Sequence, residues 1–300
     1  MFLIFCSDPM NKNVVDSDYQ LEYTIAKSLG FTVKLISLEE LLEGNIDGAL
    51  SKISAVEHPE SALYRGWMMK PKIYENFYTG LHKKNIILIN NPDAYRNGHW
   101  LPHSYDKIKD FTPYSNWIQI ENIKNDFDQI LKNLSEFGQK PIIIKDYVKS
   151  RKHEWNESFF IPDASDSQHA TKVIKSFIDR QGEDINEGIV FREFVNLERI
   201  TVHTKSQMPL SKEYRLFYLE NRFLFQFDYW EEIQYDEDKP DLTIFNRLAQ
   251  QISSNFFTMD IGKTVYGDWI VIEIGDGQVS GLPIDSDILG FYKAIKERMG

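Results

Sequence analysis

The 300-residue sequence has only one cysteine, Cys6, so an internal disulfide is excluded. Cys6 lies in the apolar run FLIFC, which favours a packed core thiol over a nucleophile, and a lone cysteine suits a reducing cytoplasm. Positive charge is also scarce, since 34 Lys and Arg stand against 45 Asp and Glu, for a formal net charge of −11. This balance argues against nucleic-acid and anionic-membrane partners. We therefore predict a cytoplasmic protein that binds neither.

Long apolar runs are missing as well. The N-terminal run FLIFC is too short for a signal peptide and has no basic segment before it, and no stretch reaches the roughly 20 residues that cross a bilayer. The two common phosphate-cradling motifs, G-x-x-x-x-G-K-[ST] and G-x-G-x-x-G after the first strand, are absent. His153, His169 and His203 lack the spacing of a zinc site.

Over the first ninety residues, apolar strand-like runs alternate with helical segments. The strand-like runs are FLIFC, FTVKLIS, SALYRGW and IILIN, and the last helical segment begins at Pro71. This alternation predicts a small parallel sheet with helices on its faces. Residues 91–114 are polar, aromatic and rich in turn residues, and we predict an irregular connector there.

After residue 115 the strands come in hairpins, which predicts a mainly antiparallel α+β region. The clearest hairpin joins EYRLFYL to RFLFQFDYW at Glu220-Asn221. We predict an N-terminal domain over 1–100 and a second domain over 101–300, with subdomains of about 115–195 and 196–300.

Two apolar strands near the C-terminus, FFTMDIG and WIVIEIGD, carry acidic residues. If the turn at Tyr266-Gly267 is tight, residues pair when their numbers sum to 533, which places Asp260 opposite Glu273. Opposed like charges destabilise a sheet, so something must compensate. A divalent cation would do so, and carboxylate oxygens suit magnesium. An exposed face made soluble by its acids is the alternative. On the magnesium hypothesis, Glu273→Gln should not destabilise the metal-free protein.

A basic cluster interrupts this acidic chain at PIIIKDYVKSRKHEW. Lys145 lies inside the apolar strand, where a buried ammonium needs an anionic partner. The following loop carries Lys149, Arg151, Lys152 and His153. Such a cluster suits a polyanion such as triphosphate, although a solvated loop would explain every member except Lys145.

Other ionic residues also lie within apolar strands. They are Arg192 and Glu193 in GIVFREFV, Glu213 and Arg215 in KEYRLFYL, and Arg65 in LYRGW. A structural network of ion pairs would account for them as well as a binding site would.

In this order, these segments resemble an ATP-grasp enzyme, and more closely the ATP-grasp clade named for two arginines and a lysine. The resemblance extends over nearly the whole chain and rests on FCSDP, YRGWMMKP, KDYVKSRKHEW, FREFV, EYRLF and EIGDGQVSGLP. It implies two α+β subdomains that sandwich ATP, preceded by a small α/β domain with a parallel sheet.

The resemblance also implies roles for the residues named above. Phosphate contacts fall to Lys145, Lys149 and Arg215, and a ribose contact to Glu213. The segment that resembles the adenine-binding hinge contains Arg192, Glu193, Phe194 and Val195. Asp260 and Glu273 would hold magnesium. The family's usual Glu-x-Asn is replaced here by EIGD, so the third ligand either shifts to Asp276 or is lost.

The implied activity is that of a carboxylate-amine ligase that uses ATP and magnesium. ATP would phosphorylate a carboxylate, and an amine would displace phosphate from the acyl phosphate to give an amide. Lys145, Lys149 and Arg215 would stabilise the transferred charge, and Arg65 would clamp the acid. The substrates would be small molecules or peptides, with a protein acceptor as a further candidate. The alternative is a non-catalytic ATP-binding assembly factor or chaperone, as in the eukaryotic translation-initiation-factor assembly chaperones.

Overall fold

The computed structural model describes residues 1–119, 121, 127–151, 154–202, 209–230, 235, 239–283 and 285–299. Lys152, His153 and His203, which were singled out above, lie outside these residues. The helices run in chain order as α1 Gln20–Ser28, α2 Leu38–Leu42, α3 Ile46–Ala49, α4 Pro71–His82, α5 Pro92–His99, α6 Leu101–Ile108, α7 Phe127–Ser135, α8 Ser167–Gln181, α9 Thr243–Ala249 and α10 Ile288–Met299. The strands are β1 Phe2–Cys6, β2 Thr32–Ile36, β3 Glu60–Arg65, β4 Ile86–Leu88, β5 Ser115–Gln119, β6 Ile142–Asp146, β7 Phe160–Ile161, β8 Gly188–Glu193, β9 Arg199–Val202, β10 Pro209–Ser211, β11 Glu213–Leu219, β12 Arg222–Asp228, β13 Phe256–Lys263 and β14 Trp269–Asp276.

The chain divides into two compact units. The first comprises Met1–Gly98, Tyr214–Asp260 and Ile274–Gly300, and the second comprises His99–Glu213 and Ile261–Glu273. The domains predicted from the sequence, 1–100 and 101–300, stay a prediction. Within the described ranges, every helix is too short or too polar to span a membrane.

The predicted parallel sheet is confirmed in the first unit. Its strand order is β2-β1-β3-β4, and all three neighbouring pairs are parallel. The side chains of β1 alternate between two cores, as the strand period of two requires. Leu3 and Phe5 pack with residues of α1 and α10, whereas Ile4 and Cys6 pack with residues of α2 and α4. The central strand is thus covered on both faces.

The irregular connector predicted for 91–114 is wrong, because α5 and α6 occupy most of it. Pro92 and Pro102 fall in the first turn of their helices, where proline removes no helical hydrogen bond. The Asn91 side chain accepts a bond from the Ala94 amide at 2.8 Å, which caps the start of α5. Tyr95 is 2 % exposed and stacks on Tyr74 with ring centroids 3.8 Å apart. Tyr95, one of the aromatic residues that suggested a loop, is therefore a core residue.

The second unit contains an antiparallel sheet in the order β5-β8-β6-β7. Strand β8 lies between β5 and β6, so Lys145 pairs with Val190 and Arg192 pairs with both Ser115 and Ile143. One face packs against α7 and α8 through residues that include Ile144, Phe177 and Phe191. The other two sheets are the β9–β10 pair and a four-stranded sheet in the order β12-β11-β13-β14.

The β11–β12 hairpin confirms the turn predicted at Glu220-Asn221. Both turn residues have positive φ, 51° and 59°. Leu219 pairs with Arg222 across the turn, which leaves a two-residue loop. Positive φ at both central positions is the requirement of a type I′ turn, whose twist matches that of the strands.

Candidate functional site

The register predicted for the β13–β14 hairpin is confirmed at its open end, in the first unit. The Gly277 amide donates to the Phe256 carbonyl at 3.0 Å, and these two numbers sum to 533. A Cβ on Gly275 would lie 2.6 Å from Thr258 Oγ1, and this pair also sums to 533. The pairing of Asp260 with Glu273 stays a prediction.

Asp260, in the first unit, is held by Arg215. The guanidinium donates to both carboxylate oxygens, from Nε at 2.8 Å and from Nη2 at 2.7 Å. Asp260 is 3 % exposed, so this two-point contact is largely shielded from water. Arg215 also donates to the Gly281 carbonyl at 3.0 Å and lies 4.9 Å from the centre of the Tyr229 ring. The arginine is therefore fixed on several sides.

Glu273, in the second unit, is held by Lys145. The Lys145 ammonium forms an ion pair with Glu273 Oε1. Lys145 is 8 % exposed, whereas the side chain of Glu273 is 37 % exposed. The buried lysine inferred from the sequence therefore has the anionic partner that its burial requires. Water reaches the carboxylate far more easily than it reaches the ammonium.

Arg192 adds a second buried cation to the same unit. Its Nη2 donates to Thr112 Oγ1 at 2.8 Å and to the Val271 carbonyl at 3.1 Å. Burial lowers the pKa of Arg192 to about 10, against the opposing influence of the Glu273 charge. The guanidinium is thus poorly solvated and lies within the electrostatic influence of Glu273.

These contacts correct one expectation from the sequence. Acids on the hairpin were expected to need an external cation to offset their repulsion, but the protein supplies a cation to each. Asp260 has Arg215 and Glu273 has Lys145, each within its own unit. Glu273→Gln should therefore destabilise the protein, because it removes the charge that faces Lys145.

Asp276 has a different environment from the other two acids. It is 0 % exposed, and burial raises its pKa to about 7 although several hydrogen bonds oppose the shift. Asn90 donates to Oδ2 at 2.6 Å, and the Gln278 amide donates to Oδ1 at 2.9 Å. Both oxygens of Asp276 thus accept hydrogen bonds, and a metal role for Asp276 stays a prediction. Among the residues described, no group of three or more His, Cys, Asp or Glu could hold a metal ion.

The loop after Lys145 is organised by Asp146, which sequence reasoning missed. Asp146 is 0 % exposed, and its Oδ1 accepts bonds from the amides of Val148 and Lys149. Its Oδ2 accepts from Asn186 Nδ2 at 2.8 Å. The chain therefore turns tightly and leaves Lys149 exposed at the end of the turn. The sequence did offer a signal for Asp146, because it is an acid that lies in a buried strand directly after Lys145.

Arg151 is engaged within the loop region itself. Its Nε and Nη2 each donate to a Glu154 oxygen at 2.7 Å, and Arg180 contacts the same carboxylate at 3.0 Å. Hydrogen bonds from Arg151, Ser158 and Arg180 hold the pKa of Glu154 well below its usual range. Arg151 is therefore a structural residue of this loop rather than a free cation.

The segment predicted to be the hinge, residues 193–195, begins at the end of β8, and backbone hydrogen bonds hold it in place. The Glu193 amide donates to the Tyr114 carbonyl at 2.8 Å, and the Phe194 amide donates to the Pro141 carbonyl at 2.9 Å. Glu193 Oε2 lies 3.0 Å from Lys140 Nζ. The Phe194 ring packs edge-on against Phe160, with centroids 5.1 Å apart, and Val195 follows half-buried.

Two adjacent charged residues are buried at the start of β11. Glu213 is 6 % exposed and Lys212 is 3 % exposed. Lys212 is tied by its backbone, which donates to the Glu198 carbonyl at 2.8 Å and accepts from the Lys263 amide at 2.9 Å. The sequence singled out Glu213 but missed Lys212, because a charged residue just before a strand is common on surfaces.

Arg65 lies inside the first unit and is 0 % exposed. Its Nε and Nη2 donate to the two oxygens of Glu22 at 2.9 and 3.1 Å, and its Nη1 donates to the Ser280 carbonyl at 2.9 Å. Burial lowers the pKa of Arg65, but the charge and hydrogen bond of Glu22 together with nearby Tyr292 and Tyr19 outweigh burial, so the pKa lies above its ordinary value. Tyr292 donates to the same carboxylate at 2.6 Å. A substrate acid would have to displace Glu22 to reach this guanidinium.

Comparison with known proteins gives one family and several structures of similar fold. The family model that matches residues 136–295 describes an ATP-grasp domain, family 3 of the clade named for two arginines and a lysine. No curated protein matches the chain. D-cycloserine synthetase DcsG is similar with a TM-score of 0.60 and 12 % identity, over 100 % of both chains.

Two further structures are similar at comparable levels. ATP-grasp ligase PsnB, complexed with minimal precursor, Mg and ADP, has a TM-score of 0.54 and 14 % identity, over 99 % of this chain and 97 % of its own. A RimK domain ATP-grasp protein from Sphaerobacter thermophilus DSM 20745 has a TM-score of 0.58 and 12 % identity, over 100 % and 99 %. At these identities the similarity shows the ATP-grasp fold alone.

Proposed function

Because the chain belongs to family 3 of the ATP-grasp clade named for two arginines and a lysine, we propose that it is an ATP- and magnesium-dependent carboxylate-amine ligase. The observation that carries the proposal is the ion pair of Lys145 with Glu273. A nearly buried ammonium whose carboxylate partner is one-third exposed can exchange that partner for a phosphate oxygen without being left unpaired.

The same exchange releases the ligands that magnesium requires. Carboxylate oxygens are the donors that this ion prefers, and Glu273 becomes available once phosphate occupies Lys145. Asp260 becomes available in the same way if phosphate binds Arg215, which now holds it at two points. We assign magnesium binding to Asp260 and Glu273, and leave Asp276 out because its donors, Asn90 and the Gln278 amide, have no part in the proposed phosphate site and would keep its oxygens.

The other residues take the roles that the resemblance to the family implies. Lys149, exposed on the turn that Asp146 holds, contacts phosphate, and Lys145 and Arg215 stabilise the negative charge that moves during transfer. Glu193, Phe194 and Val195 contact the base and Glu213 the ribose. When bound, ATP supplies the phosphoryl group that converts the substrate carboxylate to an acyl phosphate, which an amine then attacks.

Calorimetry with ATP, with and without magnesium, tests the binding site. Lys145→Ala should weaken binding about ten- to a hundredfold, because a hydrogen bond to a charged group contributes about 1.5 to 3 kcal/mol. Lys107→Ala is the matched control, since Lys107 is an exposed lysine of α6 in the same unit. Equal binding in the presence of a chelator, or an equal loss in the control, would refute the site.

Trapping with hydroxylamine tests the ligase chemistry itself. Hydroxylamine attacks acyl phosphates, so a protein supplied with ATP, magnesium and a pool of carboxylic acids should yield a hydroxamate together with ADP. Glu273→Gln should yield neither. Tight ATP binding without ADP formation from any pool would instead identify the alternative, a non-catalytic ATP-binding assembly factor.

A further inference from the structure

A cleft of about 600 Å³ lies in the first unit, between α3 and α4. Its floor is apolar and closed at Gly80, where the two segments touch. A Cβ at Gly80 would come within 2.6 Å of Ile46 Cγ2 and 2.8 Å of Leu50 Cδ1, so a larger residue would force them apart. None of the residues lining this cleft belongs to the nucleotide site proposed above.

The rim of the cleft carries more positive than negative charge. Lys72, Lys83 and Lys84 line it together with Asp47 and Glu75. Lys72 pairs with Glu75 at 2.9 Å, but no ion pair of Lys83 or Lys84 is seen in the part of the chain that the structure describes. In a protein of net charge −11, this local excess favours an anionic ligand.

The helix dipole does not account for all three lysines. Lys83 and Lys84 follow the C-terminal end of α4, where cations are favourable. Lys72, however, is the second residue of α4, and a cation in the first turn is unfavourable. A ligand that contacts both ends of the cleft would explain why both ends carry lysines.

The length of the cleft indicates what kind of ligand it takes. From Lys72 to His82, the last residue of α4, is about 15 Å at 1.5 Å per helical residue, and Lys83 and Lys84 follow just beyond. An extended peptide rises about 3.3 Å per residue, so five or six residues would span this distance, whereas a single amino acid would fill only part of it. Asn76 and Thr79, between the lysines, supply an amide and a hydroxyl that can bond to a peptide backbone.

We propose that this cleft binds an extended acidic peptide segment of five or six residues. Acidic side chains at its two ends contact the lysines, and an apolar side chain in its middle lies on the floor formed by Ile46, Leu50 and Gly80. This binding is separate from the nucleotide chemistry and does not require it.

Fluorescence anisotropy with a fluorescein-labelled hexapeptide, Glu-Glu-Leu-Leu-Glu-Glu, tests the proposal on the full chain. The peptide should bind, and it should bind more weakly as sodium chloride is raised from about 50 to about 300 mM, because exposed charges are screened. Lys-Lys-Leu-Leu-Lys-Lys should not bind. Glu-Glu-Ser-Ser-Glu-Glu should bind several-fold more weakly, since it lacks the apolar centre.

Substitutions on the cleft complete the test. Lys83→Glu should weaken binding about tenfold, and Thr79→Trp should abolish it by filling the cleft from its rim. Lys293→Glu is the matched control, because Lys293 is an exposed lysine of α10 in the same unit, and it should change affinity less than twofold. Absence of binding to the wild type at millimolar concentration, or an equal loss in Lys293→Glu, would overturn the proposal. Addition of ATP and magnesium should leave the peptide affinity unchanged.

Discussion

Glu273→Gln removes one charge from the pair that Glu273 forms with Lys145, and the environment of that pair sets the cost. Lys145 is 8 % exposed, and breaking a fully buried ion pair from one side costs about 3 to 5 kcal/mol. The Glu273 side chain is 37 % exposed, however, and exposed pairs contribute only about 0.2 to 1 kcal/mol. We expect a loss of about 1 to 2 kcal/mol in the free energy of unfolding, between these limits.

A double-mutant cycle separates the pair from other effects of the substitution. Lys145→Met removes the ammonium but keeps an apolar stem of similar length. If the two charges stabilise each other, the double variant should be more stable than the sum of the single losses predicts, by about 1 kcal/mol. Thermal unfolding followed by circular dichroism measures this, because 1 kcal/mol shifts Tm by about 2 to 4 °C in chains of around 200 residues.

The same variants test the exchange of partners that the proposed function requires. At a hundredfold excess of ligand over Kd, binding stabilises the folded protein by about 2.7 kcal/mol. Wild-type protein should gain this stability from ATP with magnesium, and Glu273→Gln should lose most of the gain. A Glu273→Gln variant as stable as wild type without ligand would refute the reasoning, and so would strictly additive losses in the cycle.

Two further predictions concern buried groups of the first unit. Arg65→Met should lower stability by about 3 to 5 kcal/mol in thermal melts, because it leaves the Glu22 charge without its cation at 7 % side-chain exposure. An unchanged Tm with lost ligase activity would instead support the role of Arg65 as a clamp for the substrate acid. The pKa of Asp276 is raised from 3.8 to about 7, so the folded protein favours the protonated carboxyl. This preference for the proton stabilises the fold fully below about pH 4, and the stabilisation is lost as the pH rises through 7. Melts of Asp276→Asn between about pH 5 and 8 should therefore show the variant gaining stability relative to wild type as the pH rises, and a constant difference would mean that Asp276 stays ionised.

Local pattern was sufficient for much of the fold. The parallel sheet followed from strands alternating with helices, and the β11–β12 hairpin followed from two alternating runs around Glu220-Asn221. Both signals depend on residues a few positions apart. The helices over 92–108 escaped prediction because proline and aromatic residues locally resemble a loop. Their burial depends on distant partners, such as Tyr74 beneath Tyr95.

For the candidate site, the sequence by itself determined which chemical groups are present and on which strands they lie. Only the tertiary structure decided which groups meet. Lys145 and Glu273 are 128 positions apart, Arg215 and Asp260 are 45 apart, and Arg65 and Glu22 are 43 apart. Partners likewise distinguish Asp276, which accepts bonds from Asn90 and the Gln278 amide, from the other two acids, which each pair with a cation. Partner choice and desolvation depend on contacts between distant segments, and those contacts exist only once the chain has folded.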